Sequence, residues 1–238
     1  MPGLCLYGVR TMTYRRRPSL RAVVIPVVLG MLLCAGMAAA QDVTWATTKG
    51  GSLPPPEAVA EPVRGLLSQE SADVRRGEDR IRFWGVRRVP CETPDWSSVP
   101  TGSLIGVMQT EAPLPDIRGV PIGPGVYTLR FVLQPQDGDH MGVSPYRQFL
   151  AVAPAAEDRT PEAVGNDGAV ALAKKTHGRS HPAVLSIDPP VVGTLPADRI
   201  IETEEGHTAV VVGLECGRND QPAGTLAFGI VLVGLIEY

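Results

Sequence analysis

The sequence predicts a mainly β fold, a β-sandwich with long loops and one or two short helices. Three observations carry this expectation. Short Val-, Leu- and Ile-rich runs are separated by Gly, Pro, Asn and Asp clusters, and 26 Gly and 23 Pro in 238 residues interrupt the chain too often for long helices. Between Val126 and Gln134, Tyr127, Leu129, Phe131 and Leu133 share one face while Thr128, Arg130 and Gln134 share the other, the period of a half-buried strand. A single cysteine pair, Cys91 and Cys216, remains once the first forty residues are set aside.

Those forty residues read as a signal peptide. Arg15, Arg16, Arg17 and Arg21 precede an apolar run from Ala22 to Met37 that ends in Ala38, Ala39 and Ala40, which suits signal peptidase and places Gln41 at the mature N-terminus. The run is too short and too interrupted by Gly and Pro for a good membrane span, so the processed chain is expected to be exported to the periplasm or the extracellular space and not to be an integral membrane protein. Arg16-Arg17-Pro18-Ser19-Leu20-Arg21 resembles the twin-arginine pattern with Ser19 in its apolar slot, which leaves both the Sec and the Tat route open. Cys34 follows Leu32-Leu33 rather than a small residue, so it reads as an apolar member of the leader and not as a lipid-attachment site. Met12 would open a better-proportioned leader than Met1. Residues 41–238 are then expected to form a single β-sandwich domain.

Five of the 22 Lys and Arg, and none of the 25 Asp and Glu, fall in the first forty residues, so the remainder carries a formal charge of −8. An acidic chain without a basic block is a poor partner for nucleic acid or an anionic membrane surface. In an oxidising compartment Cys91 and Cys216 default to a disulfide, with two buried thiols as the alternative. Neither cysteine has the CxxC spacing or the nearby histidine of a metal or nucleophilic site.

Taken in order, Val43 to Thr48 is a first strand, ended by Gly50-Gly51 and a Pro54-Pro55-Pro56 spacer. Residues Glu57 to Gln69 turn helical, since Glu61 and Pro62 suit a helix start and Val63, Leu66 and Leu67 fall on one face. Asp73 to Asp79 reads as a charged turn before a strand at Arg80 to Val86, where Ile81 and Phe83 share a side and Gly85 marks a bulge. A Pro-rich loop from Cys91 to Pro100 leads to a strand at Leu104 to Met108, and Gly119 to Gly125 is a loop feeding the strand at Val126. Arg147 to Ala153 returns beside that strand after a turn at Pro135 to Gly142. Asp167 to Lys175 is a short helix whose basic end suits its dipole. Ala183 to Ile187, Thr208 to Glu215 and Thr225 to Glu237 are strands, the last apolar on both faces and hence central.

The segment Pro124-Gly125-Val126-Tyr127-Thr128-Leu129-Arg130-Phe131 resembles the Gly-x-Tyr-x-Leu strand start of exported transthyretin-like and prealbumin-type sandwiches. The longer run through Gln134-Pro135-Gln136-Asp137-Gly138-Asp139-His140-Met141-Gly142 to His181-Pro182-Ala183-Val184-Leu185 is similar to an uncharacterised family of exported bacterial proteins. These resemblances imply a shared fold and an exported location and carry no activity with them.

Candidate chemistry concentrates in Asp137-Gly138-Asp139-His140-Met141-Gly142. Asp137-x-Asp139 with Gly142 is the opening of a calcium loop, yet Met141 replaces the third oxygen ligand and Gln148 stands where the bidentate acid belongs. His140, with Met141 or Asp139 and a distant histidine, would suit copper or zinc, while Asp-Gly-Asp is equally what a hairpin turn requires. His177 and His181 have chelating spacing, but Gly178 and Pro182 argue against one helix through both. His207 follows Glu202, Glu204 and Glu205 and reads as part of a solvated acidic turn. Trp96, in its Pro-rich loop, is a candidate for stacking on a sugar ring. No Gly-x-Ser-x-Gly, Gly-x-x-x-x-Gly-Lys or His-Glu-x-x-His motif occurs. The functional expectation is an exported, non-enzymatic binding or structural module with no cofactor, whose partner is an envelope component or a small ligand. The alternatives are a periplasmic copper or zinc protein centred on His140 and a hydrolase assembled from loops.

Overall fold

The structure, a computed structural model, describes residues 45–137, 144, 146–188, 199–203, 206–218 and 221–234. Its strands are β1 (Trp45–Ser52), β2 (Glu70–Arg76), β3 (Asp79–Gly85), β4 (Arg88–Pro90), β5 (Leu104–Thr110), β6 (Leu114–Pro115), β7 (Pro121–Ile122), β8 (Gly125–Leu133), β9 (Gln148–Pro154), β10 (Val184–Asp188), β11 (Arg199–Glu202), β12 (Thr208–Arg218) and β13 (Gln221–Val233). The helices are α1 (Glu61–Arg64) and α2 (Gly165–His177). The fold is mainly β, as expected, in the form of one mixed sheet ordered β1-β2-β3-β5-β8-β9-β10-β13-β12-β11. β4 joins β12 in parallel, and β6 pairs with β7 as a separate ribbon.

Two devices curl the sheet over its own core. In β10, Val184 to Ser186 pair with β9, whereas Ile187 and Asp188 pair with β13, so one strand serves both layers at a corner. On the opposite side the chain leaves β3 at Gly85 and joins the other layer as β4. There Ser68 N donates to Gly85 O at 2.9 Å, Val86 N to Ile105 O at 2.9 Å and Arg87 N to Leu66 O at 2.9 Å. A Cβ on Gly85 would strike Leu214 of β12, so the glycine permits the close approach of the layers. The two ends of the path, β1 and β11, come near each other. Between the layers Phe83, Leu129, Phe131, Leu150, Val212, Leu226 and Phe228 belong to one contiguous buried core.

The strand at β8 has the expected inward face, Tyr127, Leu129 and Phe131, all buried. Its other face is buried too, because α2 and the chain from Ala155 to Val164 lie across β8 and β9. Val132, Phe149, Ala151, Ala169, Ala173 and Ile117 form a second apolar cluster there, with alanines on the helix allowing close approach. α2 ends at Gly178, which adopts the left-handed conformation (φ 60°), and its last turn carries Lys174, Lys175 and His177. β13 is central between β10 and β12, in keeping with its apolar faces.

Local details correct some expectations. Residues 73–76 continue β2, and the turn shrinks to Gly77 (φ 59°) and Glu78. Charged residues conceal the alternation there, yet Ala72 and Val74 are buried on one face while Asp73 is held on the other by Arg80. The short strand β11 has no counterpart among the expected elements; its only apolar residues, Ile200 and Ile201, are half-buried. Trp96 is not exposed for stacking on a ligand. At 4% exposure it closes one part of the core, its ring 4.7 Å from Phe131 and 4.9 Å from Phe228. Tyr127, the aromatic of the Gly-x-Tyr-x-Leu segment, donates its hydroxyl to Gly123 O at 2.8 Å, a tyrosine-corner arrangement that pins the start of β8. Burial pushes this phenol up from its ordinary pKa.

Cys91 and Cys216 form the expected disulfide, with Cα atoms 5.5 Å apart across the parallel β4–β12 pair. The bond closes a loop of 125 residues in sequence separation and anchors a strand pair that has no turn of its own. Reduction should therefore lower stability by about 3–5 kcal/mol in denaturant titrations, and thiol counting on the unreduced, denatured protein should find no free thiol; a small, sub-kcal effect of reduction would contradict this role.

Candidate functional site

Ionisable residues deepest in the fold are committed to holding it together. Arg130 and Asp158 are both 0% exposed at their side chains. Arg130 Nε donates to Asp158 Oδ2 at 2.6 Å and Nη2 to Oδ1 at 2.8 Å, a bidentate pair. Its remaining donors reach Gly102 O at 2.7 Å, Glu162 O at 2.9 Å and Thr160 O. Thr128 Oγ1 adds a 2.6 Å bond to the same carboxylate. With every guanidinium N–H satisfied, the cluster is a structural clamp rather than a reactive centre.

The histidines named from the sequence do not gather. His177 is in the last turn of α2 and its Nε2 lies 3.3 Å from Asp116 Oδ2. That carboxylate also accepts from Arg118 N and Val120 N at 2.9 Å each, and from Arg118 Nη2 at 3.0 Å, so it organises the β6–β7 turn and ties it to the helix. His181 is exposed and stands beyond the Gly178 cap, off the helix that carries His177. Asp137 is exposed after β8, and Asp139, His140 and Met141 lie outside the described residues. Among the described residues no group of three or more His, Cys, Asp or Glu is arranged to hold a metal ion. His207 is not solvated as expected but half-buried, with Nδ1 3.5 Å from Asp188 Oδ1.

Among the described residues a pocket lies where the two layers meet beside the β3–β4 crossing. β11 pairs with β12 as far as Val211, and β4 begins pairing on the same strand at Glu215. Val212, Gly213 and Leu214 are left between these neighbours, and among the described residues only β13 pairs with them. Ser68, Glu70 to Ala72, Phe83, Gly85 to Arg87 and Val212 to Glu215 line a pocket of about 520 Å³. Ala72, Phe83, Val86, Val212 and Leu214 supply an apolar floor, while Ser68, Glu70, Ser71, Arg87 and Glu215 supply polar groups. The volume falls within the range of small-molecule sites. Gly85 and Gly213 contribute no side chains that would fill it.

At the polar side, Arg87 donates to Leu67 O at 3.4 Å and to Gly65 O. These are neutral carbonyls from the end of α1, so they orient the guanidinium without neutralising its charge. Glu215 is instead engaged by Arg88 Nε at 2.7 Å. Among the described residues the lining holds no histidine or cysteine. None of these residues stood out in the sequence, because the site is assembled from the seam between distant segments; the phase break at Gly85 was the one local sign. No family model, no curated protein and no solved structure matches the chain, so the functional reading rests on this geometry.

On the outer face of β2 and β3, Asp73 lies among Arg80, Arg75 and Arg82. Burial alone would raise its pKa, but the Arg80 hydrogen bond and the charges of Arg80 and Arg75 outweigh burial and hold it below the ordinary carboxylate range. A lowered folded-state pKa contributes stability above the unfolded value of about 3.9, and this is lost as pH falls through the folded value. The stability gap between wild type and Asp73→Asn should therefore be full at pH 7 and shrink steadily below about pH 4. A gap that stays constant through acid titration would show that the arginines do not stabilise the charge.

Proposed function

We propose that the chain is an exported, non-enzymatic β-sandwich module that binds a small amphipathic ligand, or a segment of an envelope partner, in the cleft between β2–β3 and β12. The observation that carries this reading is the pocket of about 520 Å³ with an apolar floor and, at its edge, the Arg87 guanidinium oriented by backbone carbonyls. Export is supported by the leader-like first forty residues and by the Cys91–Cys216 bond, since structural disulfides are characteristic of oxidising compartments. Among the described residues no helix is long and apolar enough to cross a membrane. A binding rather than catalytic role is supported by the way Arg130, Asp158, Asp116 and His177 are hydrogen-bonded into the fold, away from the pocket lining.

A neutral apolar fluorophore, N-phenyl-1-naphthylamine, tests the cleft without relying on charge. The folded protein should bind it at one saturable site. Ser68→Trp, which places a large ring at a half-buried lining position, should abolish that binding with little change in the thermal unfolding midpoint. Absence of saturable binding, or equal binding by a folded Ser68→Trp variant, would remove the proposal.

A further inference from the structure

We infer that the corner where α2 ends is a docking surface for an acidic polysaccharide, a hydrophilic chain with a carboxylate on each sugar. It shares no residue with the lining of the cleft and does not depend on how the cleft is read.

Beyond the first forty residues the chain carries a formal charge of −8, yet its cations are not spread evenly. Between Asp167 and Asp188 there is no acidic residue, and Lys174, Lys175, His177, Arg179 and His181 fall within eight positions. Three Lys and Arg are too few to read as a basic block, but the fold adds to them. Ala183 N donates to Ala173 O at 3.2 Å, which turns residues 178–182 back against the end of the helix. Arg118, in the turn between β6 and β7, reaches the same corner through Nη2, which donates to Pro182 O at 2.8 Å.

The nearby carboxylates do not screen the exposed cations. Asp116 accepts from Arg118 and lies 3.3 Å from His177, but its side chain is wholly buried. Glu157 is taken by Lys175 at 2.8 Å. Lys174, Arg179 and His181 are exposed, and their side chains pair with no described residue. The helix dipole explains cations in the last turn. It does not explain Arg179, His181 and Arg118, which lie outside the helix.

The polar character of the corner selects among anions. Leu53, Leu66 and Val233 are the exposed large apolar residues among the described ones, and none belongs to it. An acidic peptide with apolar anchors, or a lipid tail, would bury nothing there. A broad anionic membrane would also meet the repulsion of the rest of the chain. A thin polyanion touches the corner alone, since salt screens charges beyond about 8 Å under physiological conditions. The N–H groups of Lys174, Arg179 and His181, with the Ser180 hydroxyl among them, are donors for carboxylates and sugar hydroxyls.

The test titrates the folded, nitrogen-15-labelled protein with hexagalacturonate at low salt. Amide shifts should move saturably from Lys174 to Ala183 and around Arg118, binding should weaken as salt rises, and neutral maltohexaose should cause no shift there. Lys174→Gln combined with Arg179→Gln should lower the affinity at least about fivefold. Arg64→Gln combined with Arg218→Gln removes the same charge elsewhere and should leave it within about twofold. No saturable shift, shifts centred elsewhere, or equal losses in the two double variants would overturn the inference. Tighter binding at this corner of hexaglutamate, or of phosphatidylglycerol vesicles, would overturn it too and assign the surface to an acidic peptide or a membrane. Fluorophore binding in the cleft is measured separately and stands or falls on its own.

Discussion

Arg130 and Asp158 hold the layers of this protein in place from a position that neither water nor ligand reaches. A guanidinium at the centre of β8 is tolerated there because every donor has an acceptor: a carboxylate on the chain after β9, and the carbonyls of Gly102, Thr160 and Glu162. The one residue thereby fixes the loop before β5, the strand β8 and the chain that leads into α2. That path in turn lays the helix over β8 and β9, and it sets Gly102 against Gly165, where a Cβ on Gly102 would strike the backbone. A buried pair of this kind is a weak source of net stability compared with apolar residues, but breaking it is severe, since one charge would be left without its partner. It specifies where the outer layer docks.

A second constraint acts at the opposite seam. The sheet closes by hydrogen bonding at β10, where one strand serves both layers; on the other side β1 comes near β11, and among the described residues no ladder joins the two. The disulfide secures β4 to β12 across that seam. Val212 to Leu214, between β11 and β4 along the same strand, line one wall of the pocket. The glycine that lets the layers approach, Gly85, also lines the pocket.

Much of this architecture was legible in the sequence, and the exceptions share a cause. Tyr127, Leu129 and Phe131 announce β8 because a half-buried strand alternates at period two, and the Cys91–Cys216 pair was the expected bond. Arg130 looked like a member of a solvated face because its partners come from segments some thirty residues away in sequence, which no local pattern reports. Asp73 looked like part of a turn for the same reason; only pairing with β3 turns its charges into a strand face. Trp96 looked exposed in a Pro-rich loop, yet that loop folds inward on Phe131 and Phe228. The pocket was invisible because it belongs to a seam between segments rather than to any one of them.

A double-mutant cycle over Arg130 and Asp158, followed by denaturant unfolding, tests the structural role of the clamp most directly. Arg130→Met and Asp158→Leu should each cost about 3–5 kcal/mol, and the double variant should cost at least about 2 kcal/mol less than their sum, because the second substitution removes a charge already orphaned by the first. Single losses below about 1 kcal/mol that simply add would contradict it and would mean that the outer layer docks without the pair.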